Sequence, residues 1–271
     1  MPRYPRGMGW SPFRRAPLLH VADDRGSGPV VVFIHGIASS SITWTNVVPL
    51  LEGSHRCILI DLLGFGGSPI PADAEFTLKE HVAALDRTIR SLRLREPFIL
   101  VGHSMGGLIA PRYAARHRGR VSRLVLVSPP IYLAPDALSD DRDRMRQDFY
   151  LRAYRYIREN REFTLRNGGI VGDLLAIPRA MDINERTWVP FVKSLEHTIE
   201  SQTAISDLAA LRVPVEILYG TLDEFASPGG IRIAERIRGV SVTRVRASDH
   251  LIGKRLARAV AAAVDRPSGR D

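Results

Sequence analysis

Cysteine is all but missing from this chain: Cys57 is the only one in 271 residues. A single thiol closes no internal disulfide, so the fold must be held by its core and not by a cross-linked framework. Its setting in the apolar run Cys57-Ile-Leu-Ile60 reads as a buried strand residue, not a nucleophile. Long hydrophobic runs are lacking too, and none approaches the ~20 residues of a membrane-spanning helix. The Pro- and Arg-rich start, Met1 to Arg15, has no apolar core segment of the signal-peptide kind. Arg14-Arg15 is a poor twin-arginine signal, because the apolar stretch behind it stops at His20. The expected location is the cytoplasm. His20, His55, His81, His117 and His197 show neither a partner pattern nor metal-ligand spacing, so no metal and no cofactor are expected.

Acidic residues are the scarcer sign, 29 against 38 basic ones, for a formal charge of +9. The excess sits at the two ends, interleaved with acids, while residues 131–200 are close to balance. No basic-aromatic platform accompanies it, which argues for a solvated arginine-rich surface and against a nucleic-acid partner. Composition is otherwise that of an ordinary globular protein, at 45% hydrophobic and 25% charged residues, long enough for one large α/β domain.

Strand-like and helix-like runs alternate, the pattern of a parallel sheet covered by helices. A short strand is expected at Leu18–Val21, then a turn at Asp24–Pro29 and a fully apolar strand at Val30–Ile34. A helix is expected from Thr43 to Leu51 and a strand at Cys57–Ile60. The firmest helix is Thr77 to Leu92, opened by the capping box Thr77-Leu-Lys-Glu80 and striped by Leu78, Val82, Leu85, Ile89 and Leu92. Further strands are expected at Pro97–Val101, Leu124–Val127, Val213–Gly220 and Val240–Val245, with helices near Gly230–Arg238 and Leu251–Val264. From residue 131 to about 205 the alternation stops and only helix patterns remain, including a Phe149, Tyr150, Tyr154, Ile157 stripe. This reads as a helical lid (131–205) inserted into a core made of 1–130 and 206–271. The aromatic stripe is expected to serve mainly as core packing of that lid.

Between the Pro97–Val101 run and a helix-like run lies Gly102-His103-Ser104-Met105-Gly106-Gly107. Gly-x-Ser-x-Gly between strand and helix is the pattern of a nucleophile elbow, with Gly102 and Gly106 small because the turn is tight. A serine hydroxyl needs a base and a group that orients the base. Asp223 follows one strand end in Gly220-Thr-Leu-Asp223-Glu-Phe, and His250 follows the next in Ser-Asp249-His250-Leu. Ser104 as nucleophile, His250 as base and Asp223 as orienter is thus the expected catalytic set. Glu224 is the rival orienter, and Asp249 is expected to be solvated or capping. The tetrahedral oxyanion needs two amide donors, expected from Met105 and from Ile37 in the loop after Val30–Ile34. His35, Gly36 and His103 are expected to support the site structurally.

The pieces His35-Gly36-Ile37, Asp61-x-x-Gly64-x-Gly66-x-Ser68, Gly102-x-Ser104-x-Gly106-Gly107, Gly220-x-x-Asp223 and Asp249-His250 resemble the α/β-hydrolase superfamily over about residues 17–265. The resemblance implies a mostly parallel eight-stranded sheet, a helical cap after the sixth strand, and hydrolysis of a carboxylic ester through an acyl-enzyme. The expected partner is a small to medium apolar, ester-like molecule; monomer and homodimer both stay open. Haloalkane dehalogenases and epoxide hydrolases in that superfamily carry aspartate where Ser104 stands. Carbon–carbon-bond hydrolases of meta-cleavage pathways share Ser-Met-Gly-Gly and a cap, but this chain has His103 and Leu251 where they typically show Asn and Trp. They remain the second reading, and a small-molecule receptor with little turnover is the alternative from another class.

Overall fold

A computed structural model describes residues 15–267 apart from 134–137, 139, 167–182 and 202. The arginine-rich start (residues 1–14) and part of the 131–205 insertion therefore lie outside the described residues. Seven strands form one sheet: β1 (Val21–Arg25), β2 (Val30–Ile34), β3 (Arg56–Ile60), β4 (Phe98–His103), β5 (Val121–Val127), β6 (Val215–Gly220) and β7 (Val240–Val245), in the order β1-β3-β2-β4-β5-β6-β7. All neighbouring pairs are parallel except β1 with β3.

Seven strands, not eight, are present among the described residues, and the helical insertion follows the fifth of them in chain order, not a sixth. The first strand also differs from expectation. It runs over Val21–Arg25, through residues expected to form a turn. Polar residues serve there because β1 is an edge: Asp24 receives two hydrogen bonds from Arg56 of β3, at 2.8 and 2.6 Å.

Alternate residues of each inner strand face opposite helical layers, as a period of two requires. Val32, Ile34, Ile58, Leu100 and Leu124 join a core with α2 (Leu78–Ser91) and α3 (Gly106–Arg116). Val31, Phe33, Cys57, Val101 and Val125 join a second with α1 (Val48–Leu51) and the last helix, Lys254–Asp265. The helix expected at Thr43–Leu51 divides into a 3₁₀ turn, Ser41–Trp44, and α1. The capping box on α2 forms as the sequence predicts: Thr77 Oγ1 accepts from the Glu80 amide, and Glu80 accepts from the Thr77 amide.

Between β5 and β6 the described insertion comprises α4 (Asp141–Glu159), α5 (Arg161–Arg166), α6 (Trp188–Ser194), a π-helical turn (Leu195–Glu200) and α7 (Ala204–Ala209). Tyr150, Tyr154 and Ile157 of α4 are buried, but Phe149 is 63% exposed. At 100° per residue it lies off the i, i+4, i+7 face that the other three share. Helix α8 (Pro228–Glu235) joins β6 to β7, and the closing helix is α9 (Lys254–Asp265). No helix among the described residues is long and apolar enough to cross a membrane.

Candidate active site

Strand order sets the location. β2 and β4 are neighbours, yet their chains leave the sheet in diverging directions, β2 toward β3 and β4 toward β5. Open α/β sheets present a crevice at such a switch point, beyond the carboxyl ends of the strands. The segment after β2 holds His35, Gly36 and Ile37; the segment after β4 holds Ser104.

Ser104 has φ +51°, the left-handed region that a serine rarely adopts. It is pinned there by its amide, which donates to Val127 O at the end of β5 (2.9 Å), and by Gly107 N, which donates to Ser104 O as α3 begins (2.8 Å). The glycines around it have no room for a side chain. A Cβ on Gly102 would stand 2.4 Å from Gly106 O, one on Gly106 2.6 Å from His35 O, and one on Gly36 2.9 Å from Ser104 Cβ. Among the described residues, the amides of Met105, at the start of α3, and of Ile37 donate to no acceptor.

Asp223 and His250 leave the same sheet edge on the loops after β6 and β7. Nδ1 of His250 donates to Asp223 Oδ1 at 3.0 Å. The same oxygen accepts from the amides of Phe225 (3.0 Å) and Ala226 (3.2 Å), so the carboxylate is fixed by its own loop. Burial is the largest influence and raises its pKa, but several opposing influences, the His250 charge and hydrogen bond foremost, together outweigh it, and Asp223 titrates below the usual carboxylate value. The structure pairs His250 with Asp223 and not with Glu224; Asp249 is exposed and accepts from the Leu251 amide (3.1 Å).

Ser104 and His250 meet as wall residues of one cavity, not through a hydrogen bond. Ile37 and Pro130 join them from the sheet edge, and Tyr154, Ile157, Phe191, Leu195 and Ile199 from the insertion. Two residues of the α4 stripe expected to serve mainly as core packing, Tyr154 and Ile157, therefore face this space. Phe225, which the sequence reading passed over, packs edge-on against the His250 ring (4.8 Å between centroids) and is stacked by Tyr154. Its only signal in the sequence was its place two residues after Asp223.

The histidines on either side of the elbow are neutral supports. His35 Nδ1 donates to Gly36 O (2.7 Å) and Nε2 accepts from the Leu62 amide (2.9 Å), and burial lowers its pKa to about 4. His103 Nε2 donates to the backbone carbonyl of His250 (2.9 Å). The Asp61-to-Ser68 motif folds on itself: Gly67 N donates to Asp61 Oδ2 and Ser68 Oγ to Asp61 O, with Gly66 at φ +53°. Asp61 also accepts from the ring of His20 (3.0 Å), a partnership that the sequence did not reveal because 41 residues separate the two.

Comparison with known proteins agrees with this architecture. A family model described as alpha/beta hydrolase fold matches residues 29–171, more than half of the chain. The Arabidopsis thaliana protein named "Probable lysophospholipase BODYGUARD 3" is 45% identical over 109 residues, 39% of this chain and 22% of that protein. A pimeloyl-[acyl-carrier protein] methyl ester esterase of Aeromonas hydrophila is 37% identical over 115 residues, 41% of this chain and 42% of the esterase. The chain thus spans less than half the length of these curated relatives. The crystal structure of haloalkane dehalogenase DbeA from Bradyrhizobium elkani superposes with a TM-score of 0.67 at 22% identity, covering 91% of this chain and 95% of the other, a likeness of fold alone. With the elbow, the switch-point crevice and the family match together, the chain belongs to the α/β-hydrolase fold family.

Proposed function

We propose that the protein is a serine hydrolase that cleaves a carboxylic ester of a small to medium apolar molecule through an acyl-enzyme. The observation that carries this reading is the buried His250–Asp223 hydrogen bond of 3.0 Å, beside Ser104 in one largely apolar cavity. Because Nδ1 of His250 is committed to Asp223, Nε2 is left to take the Ser104 proton. Ser104 Oγ then attacks the ester carbonyl carbon, and the oxyanion is met by the unengaged amides of Ile37 and Met105. His250 returns its proton to the departing alcohol, and a water activated by the same imidazole releases the acid. The names of the relatives, a lysophospholipase and a methyl ester esterase, lend support to ester chemistry.

In this reading the helices of residues 131–205 form a cap that supplies the apolar walls. Two moorings support it. Arg146 of α4 donates to the carbonyls of Asp223 and Glu224, both at 3.0 Å. On the other side Lys193, His197 and Thr198 donate to the carbonyls of Ala74, Glu75 and Phe76.

The test is a short-chain p-nitrophenyl ester assay beside a fluorophosphonate probe, with the labelled residue located by mass spectrometry. Turnover and a label on Ser104, both abolished in Ser104→Ala, are the expected result. Label without ester turnover would favour the carbon–carbon-bond reading, and the absence of both label and turnover would overturn the hydrolase assignment.

A further inference from the structure

His250 is held by its side chain on Asp223, but a side chain so held is only as well placed as the backbone beneath it. The loop that carries it has three alternate carbonyls, each taken by a donor from a different part of the chain. Ser248 O accepts from the Leu222 amide on the Asp223 loop (2.9 Å), His250 O from His103 Nε2 on the elbow (2.9 Å), and Ile252 O from Asn46 Nδ2 ahead of α1 (3.0 Å). The middle of these three fastens the residue proposed as base to the strand end that carries the proposed nucleophile. We infer that His103 is a positioning residue that sets the height of the His250 imidazole over Ser104 by clamping the His250 carbonyl, an inference that rests on the serine-hydrolase reading above.

The surroundings suit a donor that never carries charge. A carbonyl only accepts, so Nε2 holds the hydrogen and Nδ1 is bare. Nδ1 is buried without a partner among the described residues, beside Gly36, and the ring meets the edge of Trp44. Burial is the largest influence on this imidazole, and its pKa falls to about 3. The two rings lie 4.9 Å apart, so a charged His103 would oppose the imidazolium that His250 forms in each cycle. A neutral donor holds the loop without that opposition.

The test combines two readouts. With p-nitrophenyl esters, His103→Phe, which keeps a ring and loses the donor, is expected to lower kcat by ~10- to 100-fold with KM unchanged, because small displacements of a catalytic group cost rate and not ground-state binding. His103→Gln, whose amide donates from about the same reach, is expected to recover most of the loss. Wild-type kcat in His103→Phe, or no recovery in His103→Gln, would overturn the inference. The second readout needs no variant: ¹⁵N spectra of histidine-labelled wild-type protein should show His103 as the Nε2–H tautomer from pH 5 to 8. An Nδ1–H tautomer or an imidazolium over that range would overturn it even if His103→Phe does not fold. Should wild-type protein neither turn over esters nor label at Ser104, the hydrolase reading fails while the spectra still decide whether the clamp exists.

Discussion

Ser104 stores strain that its neighbours enforce. A non-glycine residue at φ +51° costs on the order of 1–2 kcal/mol, and it persists because Gly36, Gly102 and Gly106 let three backbone segments close around it. Beside it, two adjacent carboxylates have different partners. Asp223 Oδ1 already receives two loop amides and His250, whereas Glu224 makes no hydrogen bond or ion pair with that ring. Asp223→Asn would present an amide where His250 needs an acceptor, favouring the wrong tautomer, and should lower kcat by ~10⁴-fold with the protein still folded. Glu224→Gln should stay near the wild-type rate. Ester assays on the two variants check this ranking, and the reverse order would move the orienter to Glu224. The convergence of Ser104, Asp223 and His250 on one sheet edge was legible because a pattern of residue types at strand ends carries it. Phe225, Asn46 and Arg146 were not, because what they do depends on neighbours tens to hundreds of residues away.

Helix α2 shows how one element serves two layers. Its stripe of Leu78, Val82, Leu85 and Ile89 enters the core, and its first turn is closed by Thr77 and Glu80. Glu80 accepts from the Glu75 amide as well (3.1 Å), which fixes the 74–76 segment on which the insertion is moored. Thr77→Ala should therefore cost ~1 kcal/mol of stability, measurable as a lowered urea midpoint. The capping box could be read from four residues because it is closed within one turn. The π-helical turn at Leu195–Glu200 could not: it turns Leu195 and Ile199 into the cavity, and its register depends on Thr198 reaching Phe76 O, 122 residues away.

At the scale of the molecule, three histidines are buried in the neutral form. Burial lowers His35 to about 4 and His81 and His103 to about 3, against ~6.5 in an unfolded chain. Between these values the unfolded chain binds protons that the folded one does not. Stability is then fully present above pH ~6.5 and falls as pH drops, each histidine adding up to ~1.4 kcal/mol per pH unit. Asp61 and Asp223, with pKa values below the ordinary carboxylate range, add a second loss below about pH 4. Urea midpoints measured from pH 8 to pH 4.5 should fall steadily below pH 6.5, and less steeply in His81→Phe, whose ring lies away from the elbow between α2 and α6. A flat profile would contradict the burial of these rings as neutral groups.

The sequence by itself determined the alternating α/β architecture, the elbow, the capped helix and the break in rhythm at 131, because each follows from local periodicity or steric demand. It misjudged the first strand, since an edge position tolerates the polar residues Asp24 and Arg25 that read as a turn. Only the tertiary structure decided the seven-strand order, the choice of Asp223 over Glu224 as the partner of His250, and the aromatic and apolar lining from the insertion. Those are matters of which distant segments meet, and nothing in the local pattern of a chain encodes the distance between residues that sequence separation keeps apart.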